Sequence, residues 1–243
     1  MKSEPRDPQD PETIKDMTSD RALQKLARDF FVQTCKYRYS YNFTWLGRPI
    51  IQYPQDLVAL QEIIWRTRPN LIVETGIAHG GSLIFYASML LLLGEPGRVV
   101  GVDVDIRTHN RAAIEGHPLA RLITMLEGSS TDAGMVAEVA ALARGQRVMV
   151  VLDSNHTHEH VARELELYSP LVKRGSYLVV FDTGIERMPA SAFADRPWGP
   201  GNNPHTAVEG FLARNRRFEI DRTLDAKLLL SAAPGGYLCC IKD

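Results

Sequence analysis

One short segment, residues 71–82 with the sequence L-I-V-E-T-G-I-A-H-G-G-S, combines a carboxylate, glycines and a hydroxyl at a spacing that suits ligand binding. Its first three residues are apolar, as in a parallel strand buried on both faces, and Glu74 follows at the strand end. The glycines permit a tight turn into an apolar helix that continues to Leu93. Because ligands of open α/β sheets bind at the carboxyl ends of strands, we predict a binding site here. Its candidate residues are Glu74, Gly76, His79, Gly80, Gly81 and Ser82.

The spacing of residues in this turn can be compared with the motifs of three kinds of nucleotide-binding site. A P-loop requires a Lys next to its final Ser or Thr, but here Gly81 precedes Ser82. A dinucleotide fingerprint requires G-x-G-x-x-G, but position 78 is Ala. The remaining pattern, E-x-G-x-x-x-G, resembles motif I of methyltransferases that use S-adenosylmethionine (SAM). There a carboxylate such as Glu74 helps to hold the ammonium group of SAM, and the glycines admit the ligand close to the backbone. An ordinary glycine-rich turn is the alternative.

Groups that suit a nucleoside follow the next two predicted strands. Asp103 ends the strand at about residues 98–102, where a carboxylate can accept hydrogen bonds from both ribose hydroxyls. Ser129 and Ser130 follow the strand at about residues 122–126, near the expected position of an adenine. A helix cap is an equally good interpretation of the two serines.

Two later strands also end in a carboxylate. Asp153 follows the predicted strand at residues 148–152, and Asp182 follows the one at residues 177–181. Two strand-end carboxylates on one sheet edge form an oxygen-rich site that suits Mg²⁺. The structural alternative is that one caps a helix and the other belongs to a surface turn.

Three histidines stand within five residues after Asp153, at positions 156, 158 and 160. Their spacing misses the H-x-H-x-D-H pattern of metallo-hydrolases by one residue and differs altogether from H-E-x-x-H. In a helix that starts near Thr157, His156 and His160 share a side and His158 points elsewhere. A zinc site made of all three histidines is therefore disfavoured, and a metal-dependent hydrolase built on them is the weaker alternative function.

The rest of the chain alternates helix and strand, which indicates an α/β fold with βαβ crossovers and a mostly parallel sheet. Two further strands, at about residues 218–221 and 228–232, bring the predicted sheet to seven strands. The final segment G-G-Y-L-C-C-I is an extra edge strand or a packed tail. Helices are predicted at about residues 107–116, 131–143, 157–172 and 204–214.

We divide the chain into a flexible tail at residues 1–18, a helical extension at 19–68 and a sheet domain at 69–243. The extension contains helical patterns from Ser19 as N-cap to about Lys36 and from about Pro54 to Thr67. The aromatic stretch between them, residues 37–45, is either a lid over the ligand edge or a packing element. The loop at residues 183–203 is long enough to indicate a functional role.

The length and composition of the chain exclude several classes of protein. With 243 residues and 44% hydrophobic content, the chain can bury one substantial core. A net charge of -1 gives no support for a nucleic-acid partner, and three cysteines do not form a disulfide framework. The start of the chain lacks the apolar core of a signal peptide, and the longest apolar run, residues 83–93, is too short to span a bilayer. We expect a cytoplasmic protein without a membrane span.

From about Tyr41 on, the ordered motifs of the chain resemble the cephalosporin hydroxylase/rhamnosyl O-methyltransferase family. The motifs are W-L-G-R-P-I-I-Q-Y-P-Q-D, V-E-T-G-I-A-H-G-G-S, G-V-D-V-D-I-R, L-D-S-N-H-T-H and R-P-W-G-P-G. The resemblance implies a Rossmann-like SAM-binding fold, dependence on Mg²⁺, homo-oligomers and methyl transfer to oxygen. Where the metal site of the family has two consecutive acids after strand five, this chain has Phe181 and Asp182, so Phe181 cannot bind metal. The third ligand would then be Thr183 or water.

The resemblance and the residues together predict an O-methyltransferase that acts on a hydroxyl of a small molecule or saccharide. Mg²⁺ at Asp153 and Asp182 would lower the pKa of the acceptor hydroxyl, and a base would remove its proton. His156 occupies the position where the similar catechol-type methyltransferases have a basic residue, although it could instead only pack at the helix start. A SAM- or nucleotide-binding protein without catalysis is the other alternative, since Phe181 replaces an acid.

Overall fold

The computed structural model describes residues 10–243, so the first nine residues of the predicted tail lie outside the described residues. The rest of that tail differs from the prediction, because helix α1 spans Pro11–Ser19 and α2 follows at Arg21–Cys35. Asp20 rather than Ser19 caps α2, accepting hydrogen bonds from the N–H groups of Ala22 and Leu23. Pro11 at the start of α1 favours the helix, since the fixed φ of proline suits a first helical position.

Nine strands and seven further helices make up the remainder of the described chain. The strands are β1 (Phe43–Trp45), β2 (Arg48–Ile50), β3 (Leu71–Thr75), β4 (Arg98–Asp103), β5 (Ile123–Glu127), β6 (Val148–Leu152), β7 (Tyr177–Val180), β8 (Phe218–Ile220) and β9 (Tyr237–Cys240). The helices are α3 (Pro54–Thr67), α4 (Gly81–Leu93), α5 (Thr108–Glu115), α6 (Ala133–Leu142), α7 (His158–Tyr168), α8 (Pro204–Arg214) and α9 (Arg222–Leu228). The last seven strands form one sheet in the order β5-β4-β3-β6-β7-β9-β8, which confirms the predicted seven-stranded α/β fold.

Strands β3 to β7 are parallel, and β9 runs antiparallel between β7 and β8. Helices α3, α4 and α9 cover one face of the sheet, and α6, α7 and α8 cover the other. The strand order reverses between β3 and β6, so the carboxyl ends of these neighbours flank a crevice where ligands bind in open α/β sheets.

The strand predicted at residues 228–232 is wrong. Helix α9 occupies residues 222–228, and the seventh strand is β9 in the final segment of the chain, inside the sheet rather than at its edge. Asp56 of α3 accepts hydrogen bonds from the Ser231 hydroxyl at 2.6 Å and the Ala232 N–H at 2.8 Å, which takes this backbone away from a strand ladder. Gly236 permits β9 to begin beside β7, because a Cβ there would lie 2.1 Å from the carbonyl oxygen of Val180.

The hairpin of β1 and β2 was not predicted from the sequence. It packs on α4, where the Trp45 indole donates to the Ser88 hydroxyl at 3.0 Å and contacts the Phe85 ring edge-on at 4.9 Å. Tyr39, just before the hairpin, packs against the rings of Phe43 and Tyr53. Part of the aromatic stretch therefore fixes the extension to the sheet domain. Within residues 10–243, no helix combines the length and the apolar character needed to cross a membrane.

Candidate active site

A cavity of about 780 Å³ lies at the carboxyl ends of β3, β6 and β7. Its wall is formed by the turn after β3, the segments after β6 and β7, helix α2 with the residues that follow it, and the loop before α8. The aromatic stretch contributes Arg38 and Tyr41, and the loop contributes Phe193 and Trp198. The aromatic stretch and the long loop thus meet around one cavity, whose size is typical of small-molecule sites.

The glycines of the turn are required by contacts within the protein. Gly76 has φ +93°, and a Cβ on it would lie 2.1 Å from the carbonyl oxygen of Asp153. A Cβ on Gly80 would lie 2.3 Å from the Ile114 side chain, and one on Gly81 would lie 2.2 Å from the carbonyl oxygen of Pro49. Close packing of the turn against its neighbours therefore accounts for these residues before any ligand is considered.

Two side chains missed by the sequence analysis hold the turn from outside. Arg48 donates to the carbonyl oxygen of His79 through Nε at 3.1 Å and Nη2 at 2.5 Å. Asn110 accepts from Arg48 at 3.1 Å and donates to the carbonyl oxygen of Ala78 at 2.9 Å. Ala78 has φ +44°, a strained value for a residue with a side chain, and these bonds help to maintain it. The L-G-R-P motif contains Arg48 but gave no indication of its partner.

Glu74 is completely buried behind the turn, at the end of β3. The Ser82 hydroxyl, in the cavity wall, donates to its Oε2 atom at 2.5 Å. Its Oε1 atom and the hydroxyl of Tyr86 form no hydrogen bond of good geometry among the described residues, although the Tyr86 hydroxyl lies near enough to lower the pKa of Glu74. Burial raises the pKa of Glu74 to about 8, although the Ser82 hydrogen bond acts in the opposite direction. A nearby cation would stabilise the ionised form.

Asp103, Ser129 and Ser130 do not line the cavity. Asp103 accepts hydrogen bonds from the N–H groups of Ile77 at 2.7 Å and Ala78 at 3.3 Å, so its carboxylate also holds the turn. Its predicted contact with ribose stays a prediction. The Ser129 hydroxyl bonds to Thr131 at 3.0 Å, and that of Ser130 bonds to His160 at 3.1 Å. The helix-cap interpretation of the two serines is wrong, because Asp132 caps α6.

Asp153, His156 and Asp182 come together in the cavity wall, with one ligand atom from each within 4.8 Å of the others. The His156 Nε2 atom lies 3.1 Å from an Asp182 carboxylate oxygen, and Gln52 donates to Asp153 at 3.3 Å. Burial, followed by the charge of Asp182, raises the pKa of Asp153 well above its usual range. Two neighbouring carboxylates with this mutual repulsion are suited to a divalent cation.

Thr183 was predicted as a metal ligand, but the structure turns its side chain away from this cluster. The buried hydroxyl donates to the carbonyl oxygen of Pro234 at 2.9 Å, and Thr183 does not line the cavity. Phe181 is buried against Tyr237, with ring centroids 6.5 Å apart, so it supplies no ligand. The third side chain beside the two carboxylates is His156.

The three histidines after β6 have separate partners. His158 bonds to the Thr206 hydroxyl at 2.8 Å, outside the cavity wall. The Nε2 atom of His160 lies 3.2 Å from the Ser154 hydroxyl and 3.5 Å from the carboxylate of buried Glu164. The geometry thus lends no support to a hydrolase built on a histidine cluster.

Trp198 of the loop before α8 packs its ring edge-on against the His156 ring, with centroids 4.9 Å apart. At the start of this loop, Glu186 accepts hydrogen bonds from the Gly201 N–H at 2.9 Å and the Asn203 side chain at 2.5 Å. These bonds tie the two ends of the loop together and hold an aromatic ring beside the cluster. The sequence contained the R-P-W-G-P-G motif without indicating this contact.

The family model for rhamnosyl O-methyltransferase/CmcI matches residues 37–241 of the chain. The chain belongs to the rhamnosyl O-methyltransferase/CmcI family. This finding confirms the resemblance given by the sequence motifs, and it places the chain among methyltransferases.

Relatives of the chain include the rhamnosyl O-methyltransferase of Mycobacterium tuberculosis. It is 29% identical over 201 residues, which cover 80% of this chain and 77% of the relative. The rhamnosyl O-methyltransferase of Mycobacterium leprae is 28% identical over 201 residues, covering 80% and 82% of the two chains.

Among solved structures, the Mg-SAM structure of CmcI has a TM-score of 0.59 at 18% identity, covering 83% of this chain and 77% of the other. The O-methyltransferase TomG from Streptomyces achromogenes in complex with SAM has a TM-score of 0.53 at 17% identity, covering 93% and 91%. These likenesses confirm the Rossmann-like methyltransferase fold.

Proposed function

We propose that this protein transfers a methyl group from SAM to a hydroxyl of a small-molecule or saccharide acceptor, with Mg²⁺ at Asp153 and Asp182. One observation carries the proposal: the turn after β3 and the cluster of Asp153, His156 and Asp182 line the same cavity. The M. tuberculosis relative supports a saccharide acceptor by its name, and the Mg-SAM structure of CmcI supports the two cofactors.

The residues around the turn fit SAM in charge and in shape. Buried Glu74 has an unpaired carboxylate oxygen, which a ligand ammonium would compensate directly or through Ser82 and water. The backbone from Gly76 to His79 faces the cavity and leaves room for a ligand close to the main chain. We assign the methionine end of SAM to Glu74 and residues 76–82, and its ribose to Asp103.

The carboxylates of Asp153 and Asp182 fit Mg²⁺, which prefers oxygen ligands and keeps several waters. Bound there, Mg²⁺ would lower the pKa of an acceptor hydroxyl. His156 fits the role of base better than that of ligand, because imidazole suits transition metals more than Mg²⁺. Nε2 of the neutral ring lies beside Asp182 at 3.1 Å, so Nδ1 is the basic atom that would take the hydroxyl proton. Trp198 limits rotation of that ring.

The test is a titration followed by a transfer assay. Calorimetry should show binding of SAM and no binding of NAD⁺, and radiolabelled methyl groups should pass from SAM to a vicinal diol or catechol only when Mg²⁺ is present. Full transfer after treatment with a chelator would refute the metal role. Binding of SAM without transfer to any hydroxyl compound would favour the non-catalytic alternative.

A further inference from the structure

Three cationic side chains in the cavity wall, Lys36, Arg38 and Arg196, form no ion pair with a carboxylate in residues 10–243. Lys36 donates only to the neutral Gln33 side chain, at 2.6 Å. Several other arginines of the described chain, such as Arg28 and Arg187, also lack an ion pair, so what distinguishes these three side chains is that they line the cavity. Unpaired cations that converge on a cavity are suited to an anionic ligand.

The charge balance of the cavity also favours an anionic ligand. Among residues 10–243, the acidic side chains that line the cavity are Asp153 and Asp182, whose two negative charges a divalent cation would offset. SAM brings a sulfonium, an ammonium and a carboxylate, so it adds one net positive charge, which ionised Glu74 would offset. With both cofactors present, Lys36, Arg38 and Arg196 would leave a strongly positive cavity unless the acceptor contributes negative charge.

The Trp198 ring lies between Arg196 and His156. The Arg196 guanidinium lies 5.4 Å from the centroid of the Trp198 ring, and that ring lies 4.9 Å from the His156 ring. A molecule whose hydroxyl reaches His156 and the carboxylate cluster therefore has Trp198 and then Arg196 beside it. An arginine stacked on an aromatic ring is pre-oriented for bidentate pairing with a carboxylate or phosphate.

Arg38 approaches the cavity from the other wall segment, directly after α2. Its backbone has φ +51°, an uncommon value for a residue with a side chain. The conformation is held because the Arg38 N–H donates to Cys35 at 2.9 Å and its carbonyl oxygen accepts from the N–H of Tyr41 at 2.9 Å. These bonds fix the backbone from which the Arg38 side chain reaches the cavity wall.

We propose that the acceptor is an anion, a hydroxyl compound that also carries a carboxylate or phosphate, and that Arg38 and Arg196 determine this specificity. The inference rests on the proposed function, since it names the acceptor class of the same cavity. Lys36 adds to the positive charge of the rim but has the more flexible side chain.

The experiment compares two catechols that differ in one charge, 3,4-dihydroxybenzoate and its neutral amide 3,4-dihydroxybenzamide. Calorimetry measures their binding to the full chain in the presence of Mg²⁺ and S-adenosylhomocysteine (SAH), so no turnover is needed and the carboxylate subsite of the cofactor is filled. We expect the acid to bind about tenfold more tightly than the amide, because several cations act together. Arg38→Gln and Arg196→Gln should each reduce this ratio to about threefold or less.

Arg28→Gln and Arg187→Gln are the matched controls, because these arginines lie on α2 and after β7 without lining the main cavity. They should keep the ratio of the parent protein. Equal binding of the two catechols, or binding of neither, overturns the proposal. A loss of SAH affinity in Arg38→Gln with an unchanged ratio also overturns it, because the cations then serve the cofactor carboxylate. Failure of SAH to bind the parent protein counts against the proposed function instead, and the ratio is then measured with Mg²⁺ alone.

Discussion

The Nε2 atom of His156 lies 3.1 Å from the Oδ2 atom of Asp182, so the imidazole is in contact with one of the two carboxylates at the cavity. This contact gives His156 two available roles, a base oriented by Asp182 or a third metal ligand beside it. The two roles differ in what removal of the ring does to metal affinity.

We expect His156→Ala to lower the methyl-transfer rate about 10²–10⁴-fold, the usual contribution of a general base, while Mg²⁺ affinity changes less than about threefold. The rate is measured by transfer of labelled methyl groups between pH 6 and 9, and Mg²⁺ affinity by calorimetry. A more than tenfold loss of Mg²⁺ affinity would identify His156 as a ligand instead. Activity equal to that of the parent across this pH range would exclude both roles.

Asp153→Ala and Asp182→Ala should each abolish Mg²⁺-dependent transfer and leave SAM binding intact, because the carboxylates belong to the metal cluster rather than to the glycine-rich turn. Thr183→Val is the control next to Asp182, since the Thr183 hydroxyl bonds to Pro234. It should lower stability by about 1 kcal/mol, the usual net value of one hydrogen bond, with Mg²⁺ affinity unchanged. Loss of Mg²⁺ binding in Thr183→Val would restore Thr183 as a ligand.

Burial raises the pKa of Glu74 to about 8, whereas a glutamate in an unfolded chain titrates near about 4.3. Between these values the folded state holds a proton that the unfolded state has released, so the stability of the ligand-free protein should fall as pH rises through this window. Glu74→Gln should remove this dependence in denaturant titrations.

The same carboxyl should couple SAM binding to proton release. A ligand ammonium favours ionised Glu74, so binding at pH 7 should release a proton. Calorimetric titrations in two buffers of different ionisation enthalpy should then give different heats, and the difference should vanish in Glu74→Gln. Identical heats in both buffers for the parent protein would contradict the placement of the methionine end.

Asp103→Ala should weaken SAM binding by about 1.5–3 kcal/mol, the range for hydrogen bonds to a charged group. It should also lower the thermal midpoint, because the N–H groups of Ile77 and Ala78 lose their acceptor. Asp103→Asn keeps one acceptor oxygen and should restore most of the thermal midpoint but less of the affinity. Unchanged SAM affinity in Asp103→Ala would place the ribose elsewhere.

Much of the sheet was predictable because its signals are local. Strand β6 and helices α3 and α8 have the predicted boundaries, since each is an apolar run or helical pattern next to a proline, glycine or carboxylate. The apolar run at 228–232 was wrongly predicted to be a strand. Its Ser231 hydroxyl and Ala232 N–H donate to Asp56, which lies 175 residues from Ser231 in the chain. No local pattern reports a partner at that distance.

The candidate site was predictable to a similar degree. Strand ends indicated Asp153 and Asp182, because carboxyl ends of neighbouring parallel strands share an edge. The rotation of Thr183 towards Pro234 and the support of the turn by Arg48 depend on tertiary contacts, so they could not be read from the sequence. The predicted homo-oligomer, the cytoplasmic location and a lid movement of the extension stay predictions.

The packing of the hairpin on α4 means that residues 69–243 are not a separable module. Gly81 meets the Pro49 backbone so closely that even a methyl group would clash, and the Arg48 side chain reaches the turn after β3. In a chimera with residues 69–243 from this protein and the extension from a distant relative, the two contact surfaces would not pack well against each other. Replacing the extension as a whole would therefore also perturb the glycine-rich turn after β3.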